Sequence, residues 1–228
     1  MKIIYRISDA GYSKVKPTYI SNETCLKNTI QVFPWREHNW LILADNISEE
    51  TNDMIQKHIP KNFIEYVSVG HGAGTFNLAL DEALQLADDE AVYFIESDYL
   101  HKKDSVKVLL EGLKLGSDFV SLYDHPDKYQ DGSNPYVEDG GEATKVFLSN
   151  TCHWKLTNST TMTFAAYASK LKQFEPTLRK YTATSHPYDF EMWTDLRSQG
   201  ASLITPLPGY STHGETAWLS PLTDWALC

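Results

Sequence analysis

The sequence is short of cysteine, positive charge and long hydrophobic runs, and each shortage excludes a class of protein. Its three cysteines lie far apart and form no CxxC pair, so we expect neither a disulfide framework nor a zinc site, and a reducing compartment. Lysine and arginine number 20 against 30 aspartate and glutamate residues, which gives a formal net charge of −10. Nucleic-acid binding needs a basic face to neutralise phosphates, so that function is not expected.

No hydrophobic run approaches the ~20 residues that span a bilayer, and the first residues, MKIIYRISDAGYSK, become charged too early for a signal peptide. We therefore expect a soluble, cytoplasmic protein with no transmembrane segment. The 228 residues are 42% hydrophobic, which suits one substantial core. The chain has no internal repeat, linker or low-complexity tract, and this favours a single domain spanning 1–228.

Strands and helices alternate through the first half of the sequence. Short apolar runs predict strands at 3–7, 40–44, 64–69, 91–95 and 118–123. Helical spacing and capping residues predict helices at 22–33, 49–58, 76–87 and 105–115. The second half predicts a long loop at 124–141, paired strands at 143–149 and 154–164, helices at 165–174 and 189–198, and a short strand at 203–205. The early alternation is typical of parallel βαβ units, so we predict an α/β fold.

An acidic group closes the fourth predicted strand. The run AVYFI at 91–95 is followed by Glu96, Ser97 and Asp98, and open α/β folds bind ligands at the carboxyl ends of their strands. Two carboxylates this close can share a divalent cation whose other ligands are phosphate oxygens and water. The alternative is an acidic turn in which Ser97 or Asp98 caps a following helix.

Two further strand ends carry polar or flexible residues. Asp45 ends the second strand, and the third strand runs into a glycine loop at 70–74 that opens a helix. On a parallel sheet these ends share one edge with the acidic group, and backbone N–H groups at a helix start suit anionic ligands. The glycines do not form a dinucleotide fingerprint, because they follow the third strand rather than the first and the last of them comes one residue early.

In this order the motifs resemble the nucleotide-sugar glycosyltransferases of the GT-A fold, most nearly family 2. The matching segments are LADNIS at 43–48, GHGAGTFN at 70–77, ESD at 96–98 in place of an Asp-x-Asp metal motif, YDFEMW at 188–193 and YSTH at 210–213. The resemblance covers nearly the whole chain. It implies a mixed, mainly parallel central sheet with helices on both faces, a nucleotide-sugar-binding half at 1–123 and an acceptor-binding half at 124–228.

The resemblance also implies a role for each matching residue. Asp98 and His213 would be ligands of Mn²⁺ or Mg²⁺, and either Asp189 or Glu191 would be the catalytic base. The donor nucleotide would meet residues of the strand ends and the glycine loop, namely Arg6, Asp9, Asp45, Gly70, Gly72, Gly74, Asn77, Glu96 and Ser97. The sequence departs from the family pattern twice, since Glu96 replaces the usual aspartate and Phe190 splits the acidic pair.

The chemistry of sugar transfer requires these residue types, although each of these residues also has an alternative structural role. An acceptor hydroxyl is a poor nucleophile, so a carboxylate must take its proton, and a cation offsets the charge on a departing diphosphate. Asp189 is otherwise a helix N-cap, Asp45 a turn residue and His213 a surface-loop histidine. We interpret the chain as an inverting, metal-dependent glycosyltransferase that acts on a UDP- or other NDP-sugar and a glycan or other hydroxyl acceptor.

Two other functions stay open from the sequence. A sugar nucleotidyltransferase would want a glycine-rich loop with a basic residue directly after the first strand, and SDAGY at 8–12 does not supply it. A non-catalytic domain that binds a nucleotide or sugar would differ from both enzymes in releasing no nucleoside diphosphate from a nucleotide sugar and Mn²⁺.

Overall fold

A computed structural model describes residues 1–10 and 14–228 of the chain. The helices in this part are α1 Asn22–Val32, α2 Glu49–Gln56, α3 Gly72–Leu84, α4 Ser105–Lys114, α5 Ala168–Lys180 and α6 Asp189–Ser198. The strands are β1 Lys2–Ser8, β2 Asn39–Asp45, β3 Ile64–Val67, β4 Ala91–Glu96, β5 Tyr99–His101, β6 Phe119–Val120, β7 Val137–Glu138, β8 Gly141–Glu142, β9 Val146–Leu148, β10 His153–Leu156, β11 Phe164–Tyr167, β12 Leu203–Leu207 and β13 Ser211–His213. None of the described helices is both long and apolar enough to cross a membrane.

One large sheet organises the described residues. Its nine strands follow the order β3-β2-β1-β4-β11-β6-β12-β10-β9. Strand β11 is antiparallel to β4 and β6, and β10 is antiparallel to β12 and β9, so the other seven strands run in one direction. The predicted mixed, mainly parallel sheet is therefore confirmed.

Helices cover both faces of this sheet, as predicted. On one face, Leu26 of α1, Ile55 of α2 and Leu109 of α4 pack against alternate residues of β1 and β4. On the other face, α3, α5 and α6 pack against the intervening residues, with Phe76 and Trp193 among the largest buried side chains. Burial on both faces explains why β1, β2 and β4 read as almost continuous apolar runs, whereas β3 at the edge of the sheet has no buried residue.

The order of the first four strands fixes where a ligand site forms. From β1 the chain moves outwards to β2 and β3, and then returns to place β4 on the other side of β1. The helices that leave β1 and β3, α1 and α3, lie on opposite faces of the sheet. A crevice opens where the strand order reverses in this way, at the carboxyl ends of β1 and β4.

The second half differs from its prediction at one central strand. Residues 165–167 were expected to be helical, but Ala165, Ala166 and Tyr167 belong to β11 and pair with β4. Alanine has the highest helix propensity, but such propensities amount to less than about 1 kcal/mol per residue, and pairing with β4 among apolar neighbours outweighs them. The predicted loop at 124–141 also contains the small hairpin of β7 and β8, and the predicted strand at 118–123 is reduced to the two residues of β6.

Candidate functional site

The carboxyl ends of β1, β2 and β4 open into a cleft of about 230 Å³. A second space of about 630 Å³ continues from it, and the two share Lys14, His71, Gly72 and Glu96 as lining residues. We call the first space the inner cleft and the second the outer cleft. The sequence predicted that the ends of the second, third and fourth strands would meet at one edge of the sheet. The inner cleft is lined by residues from all three of these ends, namely Asp45 of β2, His71 and Gly72 after β3, and Glu96, Ser97 and Asp98 at the end of β4.

Asp98 on the wall of the inner cleft meets His213, which lines the outer cleft. Asp98 directly precedes β5, and β5 pairs with β13 so that Tyr99 lies opposite His213. The Oδ2 atom of Asp98 is 3.2 Å from Nε2 of His213, and both residues are buried. Gly214 makes this approach possible, because a Cβ there would stand 2.7 Å from the backbone oxygen of Asp98.

A lysine lies between these two side chains. The Nζ atom of Lys14 donates to Oδ2 of Asp98 at 2.7 Å and is 3.0 Å from Nε2 of His213. Lys16 is further out, with its Nζ 4.0 Å from the same carboxylate oxygen. Burial alone would raise the pKa of Asp98, but His213 and the Lys14 ammonium outweigh it and hold that pKa well below its usual range.

The pair has the spacing that a divalent cation requires. A carboxylate oxygen and an imidazole nitrogen are both suitable ligands for Mn²⁺ or Mg²⁺, and at 3.2 Å they are close enough to bind one ion side by side. Within the described residues, no three His, Cys, Asp or Glu side chains form a metal cluster. A cation at this pair would therefore need its other ligands from phosphate and water, as Mg²⁺ commonly has.

Glu96 and Arg6 form the floor of the cleft and hold each other. The guanidinium of Arg6 is 3.5 Å from Oε1 of Glu96, and it also donates to the carbonyl oxygens of Gly72 and Met162. The second oxygen of Glu96 accepts from the hydroxyl of Thr163. Burial lowers the pKa of Arg6, and Glu96 partly offsets this. Arg6 thus ties β1 to the loops on both sides of the cleft.

Asp45 shapes the glycine loop from the neighbouring strand end. Its carboxylate accepts from the backbone N–H of Val69 at 2.7 Å and of Gly70 at 2.8 Å. Gly70 has a φ of +82°, which strongly favours glycine. Asp45 also lines the inner cleft, so its position allows a ligand contact in addition to these two backbone bonds.

The two glycines at the start of α3, Gly72 and Gly74, differ in their surroundings. The side chain of His71 accepts from the backbone N–H of Gly74 and caps the helix. A Cβ on Gly74 would be 2.2 Å from Val69, so only glycine fits there. A Cβ on Gly72 would meet no atom within 4 Å, and Gly72 lines the open cleft. Ser97 also lines the inner cleft, and its carbonyl oxygen accepts from Tyr5.

The structure turns Asp9 and Asn77 away from the cleft. Asp9 accepts from the backbone N–H of Ser48 at 2.6 Å and from the hydroxyl of Thr51, so it supports the start of α2. These hydrogen bonds outweigh the effect of burial and lower its pKa. Asn77 exchanges hydrogen bonds with Thr182. Both side chains satisfy groups on neighbouring elements, which is a structural use that their position in sequence did not reveal.

Asp189 and Glu191 both lie in the first turn of α6 but differ in their exposure. Asp189 lines the outer cleft and is half-buried, whereas Glu191 is exposed. Burial and, next to it, the nearby charge of Glu96 raise the pKa of Asp189 to about 6. The helix N-terminus by itself favours the ionised carboxylate and a low pKa. Burial outweighs that influence, and the result is a carboxyl group that titrates close to neutral pH.

Other residues of the site were not identified from the sequence. Lys14 and Lys16 enter the inner cleft from the loop after β1, and their only sequence signal is a KVK alternation in an acidic protein. Gly11 and Tyr12 of the same loop lie outside the described residues. His125 and Trp218 line the outer cleft with their rings 5.2 Å apart. By contrast, the rings of three other tryptophans fill the protein core, namely Trp154, Trp193 and Trp225.

Comparison with known proteins identifies the fold. No protein-family model matches this sequence, and no curated protein does. The structure of GalNAc-T7 with UDP, GalNAc and Mn²⁺ matches with a TM-score of 0.58 and 11% identity, covering 99% of this chain and 46% of that one. The chain has a GT-A fold.

Two further solved structures match with lower scores. The galactosyltransferase LgtC, in complex with donor and acceptor sugar analogues, gives a TM-score of 0.47 at 13% identity, over 86% of this chain and 69% of that one. The CMP:2-keto-3-deoxy-manno-octonic acid synthetase, in complex with CTP, gives a TM-score of 0.49 at 12% identity, over 94% of this chain and 93% of that one. At such identities the likeness concerns the fold alone, so the chemistry must be argued from the cleft.

Proposed function

We propose that the protein is a glycosyltransferase that moves a sugar from a nucleoside diphosphate sugar to a hydroxyl acceptor, with inversion at the anomeric carbon. The observation that carries this proposal is the composition of one continuous cleft. A cation-binding pair lies where its two parts meet, with Asp98 on the inner side and His213 on the outer side, and the outer part offers Asp189, a half-buried carboxyl group with a pKa of about 6. These are the two groups that transfer of a sugar from a diphosphate needs.

The inner cleft has the features of a donor site. Asp98 and His213 would hold Mn²⁺ or Mg²⁺, which when bound supplies neutralising charge for the departing diphosphate. Lys16 adds a second positive charge at the same wall. The open backbone at Gly72 and the start of α3 give an anionic ligand room to approach N–H groups. GalNAc-T7 was crystallised with UDP, GalNAc and Mn²⁺, and this supports the choice of donor and cation.

Asp189 is the better of the two candidate bases. The acceptor hydroxyl must lose its proton as the new bond forms, and a carboxylate inside the cleft can receive it where an exposed Glu191 cannot. A pKa of about 6 leaves Asp189 ionised at neutral pH and makes it a stronger base than an ordinary aspartate. Attack from the side of Asp189 while the diphosphate leaves on the other is a single displacement, and it inverts the anomeric carbon.

The outer cleft has the size and lining of an acceptor site. Its volume of about 630 Å³ is in the range of small-molecule sites. Trp218, His125 and Thr161 line it together with Asp189. An aromatic face can pack on the C–H surface of a sugar while the polar side chains bind its hydroxyls. A glycan or another polyhydroxylated acceptor therefore suits this space.

One observation favours a sugar nucleotidyltransferase as a second candidate. That class uses a basic residue after the first strand, and the sequence alone did not place one near the substrate. The structure brings Lys14 and Lys16 from this loop into the inner cleft. The half-buried Asp189 has no evident use in nucleotidyl transfer, however, so we favour sugar transfer.

The deciding experiment compares the two reactions on the same protein. Wild-type protein is incubated with Mn²⁺, a panel of nucleotide sugars and mixed hydroxyl acceptors, and nucleoside diphosphate release is followed. Proton NMR of the product then reports the anomeric configuration. A parallel reaction with nucleoside triphosphates and sugar 1-phosphates reports pyrophosphate. We expect diphosphate release and an inverted product; pyrophosphate release alone would establish the second candidate, and binding without turnover would indicate a non-catalytic domain.

A further inference from the structure

The Asp98–His213 pair already holds a cation, and that cation is part of the chain. The ammonium of Lys14 is 2.7 Å from the carboxylate oxygen of Asp98 and 3.0 Å from the imidazole Nε2 of His213. A lysine ammonium has three donors and no acceptor. Oδ2 of Asp98 therefore accepts from it, and Nε2 of His213 accepts from it in the tautomer that carries its proton on Nδ1. In that tautomer both atoms face the ammonium as they would face a metal ion.

A divalent cation at this pair and Lys14 exclude each other. The same oxygen and the same nitrogen would be its ligands, and they are only 3.2 Å apart. There is no space between them for a second cation, and two positive charges at that distance would repel strongly. Metal binding thus requires that the ammonium first leave both atoms.

Lys14 is placed where such a departure is feasible. Its side chain is 17% exposed against 9% for the side chain of Asp98, and it lines both the inner and the outer cleft. A released ammonium therefore enters a water-filled space rather than an apolar core, which keeps its desolvation cost small. Four rotatable methylene groups let the charge move without movement of the backbone.

We propose that Lys14 is a tethered cation that occupies the Asp98–His213 pair until a divalent metal replaces it. This inference rests on the proposed function in one respect, since a donor diphosphate is the ligand that would assist the exchange. The diphosphate supplies the metal with further oxygen ligands and gives the released Lys14 ammonium an anionic acceptor. Lys14 then serves the reaction in both states, first as the counter-ion of Asp98 and then as a partner of the diphosphate.

The exchange should weaken the binding of the metal alone, and this can be measured without a substrate. If the pair lacks Lys14 in only about one molecule in ten, the apparent Kd for the metal is raised about 10-fold by that occupancy. Removing the ammonium should remove this penalty. Lys14→Met keeps the length and apolar stem of the side chain, and Lys16→Met deletes a neighbouring charge 4.0 Å from the same oxygen.

The experiment is a titration of Mn²⁺ alone into the full chain, followed by calorimetry and by the electron paramagnetic resonance signal of free Mn²⁺. We expect Lys14→Met to bind Mn²⁺ at least about 10-fold more tightly than wild type, and Lys16→Met to stay within about 2-fold, because it changes only the surrounding potential. Adding Asp98→Asn to Lys14→Met should abolish the tight binding and so locate it. Lys14→Gln serves as a second variant, and thermal unfolding shows that each protein is folded.

The inference is overturned if folded Lys14→Met and Lys14→Gln bind Mn²⁺ no more tightly than wild type, or if Lys16→Met gains as much as Lys14→Met. Failure of the proposed function would look different. Tight Mn²⁺ binding by Lys14→Met without release of nucleoside diphosphate from any donor would leave the exchange standing and contradict sugar transfer. Metal-stimulated sugar transfer by wild type, together with no gain in the Mn²⁺ affinity of Lys14→Met, would support the proposed function and contradict the exchange.

Discussion

Two lysine–aspartate pairs of similar length lie in different surroundings. Lys14 and Asp98, the cleft pair, are 2.7 Å apart with side chains 17% and 9% exposed. Lys155 and Asp124, the enclosed pair, are 2.9 Å apart with both side chains 3% exposed. Tyr129 covers the enclosed pair, since its hydroxyl donates to Asp124 and its ring lies 4.3 Å from the Lys155 ammonium.

Distance alone does not separate a structural ion pair from a functional one. The enclosed pair has almost no exposed surface, and removing one partner would leave the other charge buried without its nearest counter-charge. The cleft pair opens onto the donor site, so water or a ligand can replace either partner. We therefore expect mutations of the enclosed pair to affect folding and mutations of the cleft pair to affect binding and catalysis.

Asp124→Asn should give the largest effect, on stability. It leaves the buried Lys155 ammonium with Glu142 at 3.9 Å as its remaining carboxylate, and breaking a buried pair in this way costs about 3–5 kcal/mol. Urea unfolding followed by circular dichroism measures the loss. A loss below about 1 kcal/mol would mean that the enclosed pair is as replaceable as a surface pair and would break the comparison.

Asp98→Asn should affect activity far more than folding. The substitution keeps the shape of the side chain but removes the charge that binds a cation, so we expect kcat to fall by about 10²–10³-fold, or about 2.7–4 kcal/mol of transition-state stabilisation. Diphosphate release at limiting Mn²⁺ is the measurement. Activity like that of wild type, or a stability loss as large as that of Asp124→Asn, would assign the cleft pair to structure.

Asp189→Asn should lower kcat by about 100-fold, the range for a lost general base, and leave donor binding nearly unchanged. Glu191→Gln is its matched control on the same helix and should stay active, because Glu191 is exposed. If the two variants behave the other way round, the base is Glu191. If both keep their activity, the single displacement itself is contradicted.

The pH profile provides a second readout of Asp189. A base must be deprotonated, and burial raises the pKa of this group to about 6. The kcat/KM of wild type should therefore be level above about pH 7 and fall towards 10-fold per unit below pH 6. Asp189→Asn should lose this acidic limb, and an unchanged limb in that variant would assign it to another group.

Asp45→Ala should produce the smallest change. Its effects on the unfolding free energy and on the donor affinity separate a role in holding the glycine loop from a role in binding the ligand. Loss of the acceptors for Val69 and Gly70 should cost about 1–3 kcal/mol, measured as unfolding free energy. A contact with the nucleobase would add a rise in the Kd for the donor nucleotide, measured by calorimetry. Unchanged nucleotide affinity would limit Asp45 to holding the glycine loop.

The parts of the fold that the sequence predicted well are those with local causes. The first strands and helices follow from apolar runs and caps, and α6 begins and ends at the predicted residues because its signals lie within the segment. Strand β11 was assigned to a helix because its pairing partner, β4, is about 70 residues away in sequence. A window of neighbouring residues does not contain that partner.

The same reasoning separates the site residues that were anticipated from those that were not. Asp98 and Asp189 follow from their places at a strand end and a helix start, so position in the fold was enough to suggest them. Lys14 reaches Asp98 across 84 residues of sequence, and Asp9 accepts from the backbone N–H of Ser48, the N-cap of α2, across 39 residues. Such contacts depend on how loops cross the sheet edge, which periodicity and spacing do not encode.

The most direct test of the cleft as the donor site is a crystal structure of the wild-type protein with a nucleoside diphosphate and Mn²⁺, using the anomalous scattering of manganese to locate the ion. We expect one strong peak bonded to Asp98 and His213, the diphosphate on the open side of that ion, and Lys14 moved from the pair towards the phosphates. A manganese peak elsewhere, or a nucleotide bound away from the ends of β1, β2 and β4, would show that the inner cleft is not the donor site.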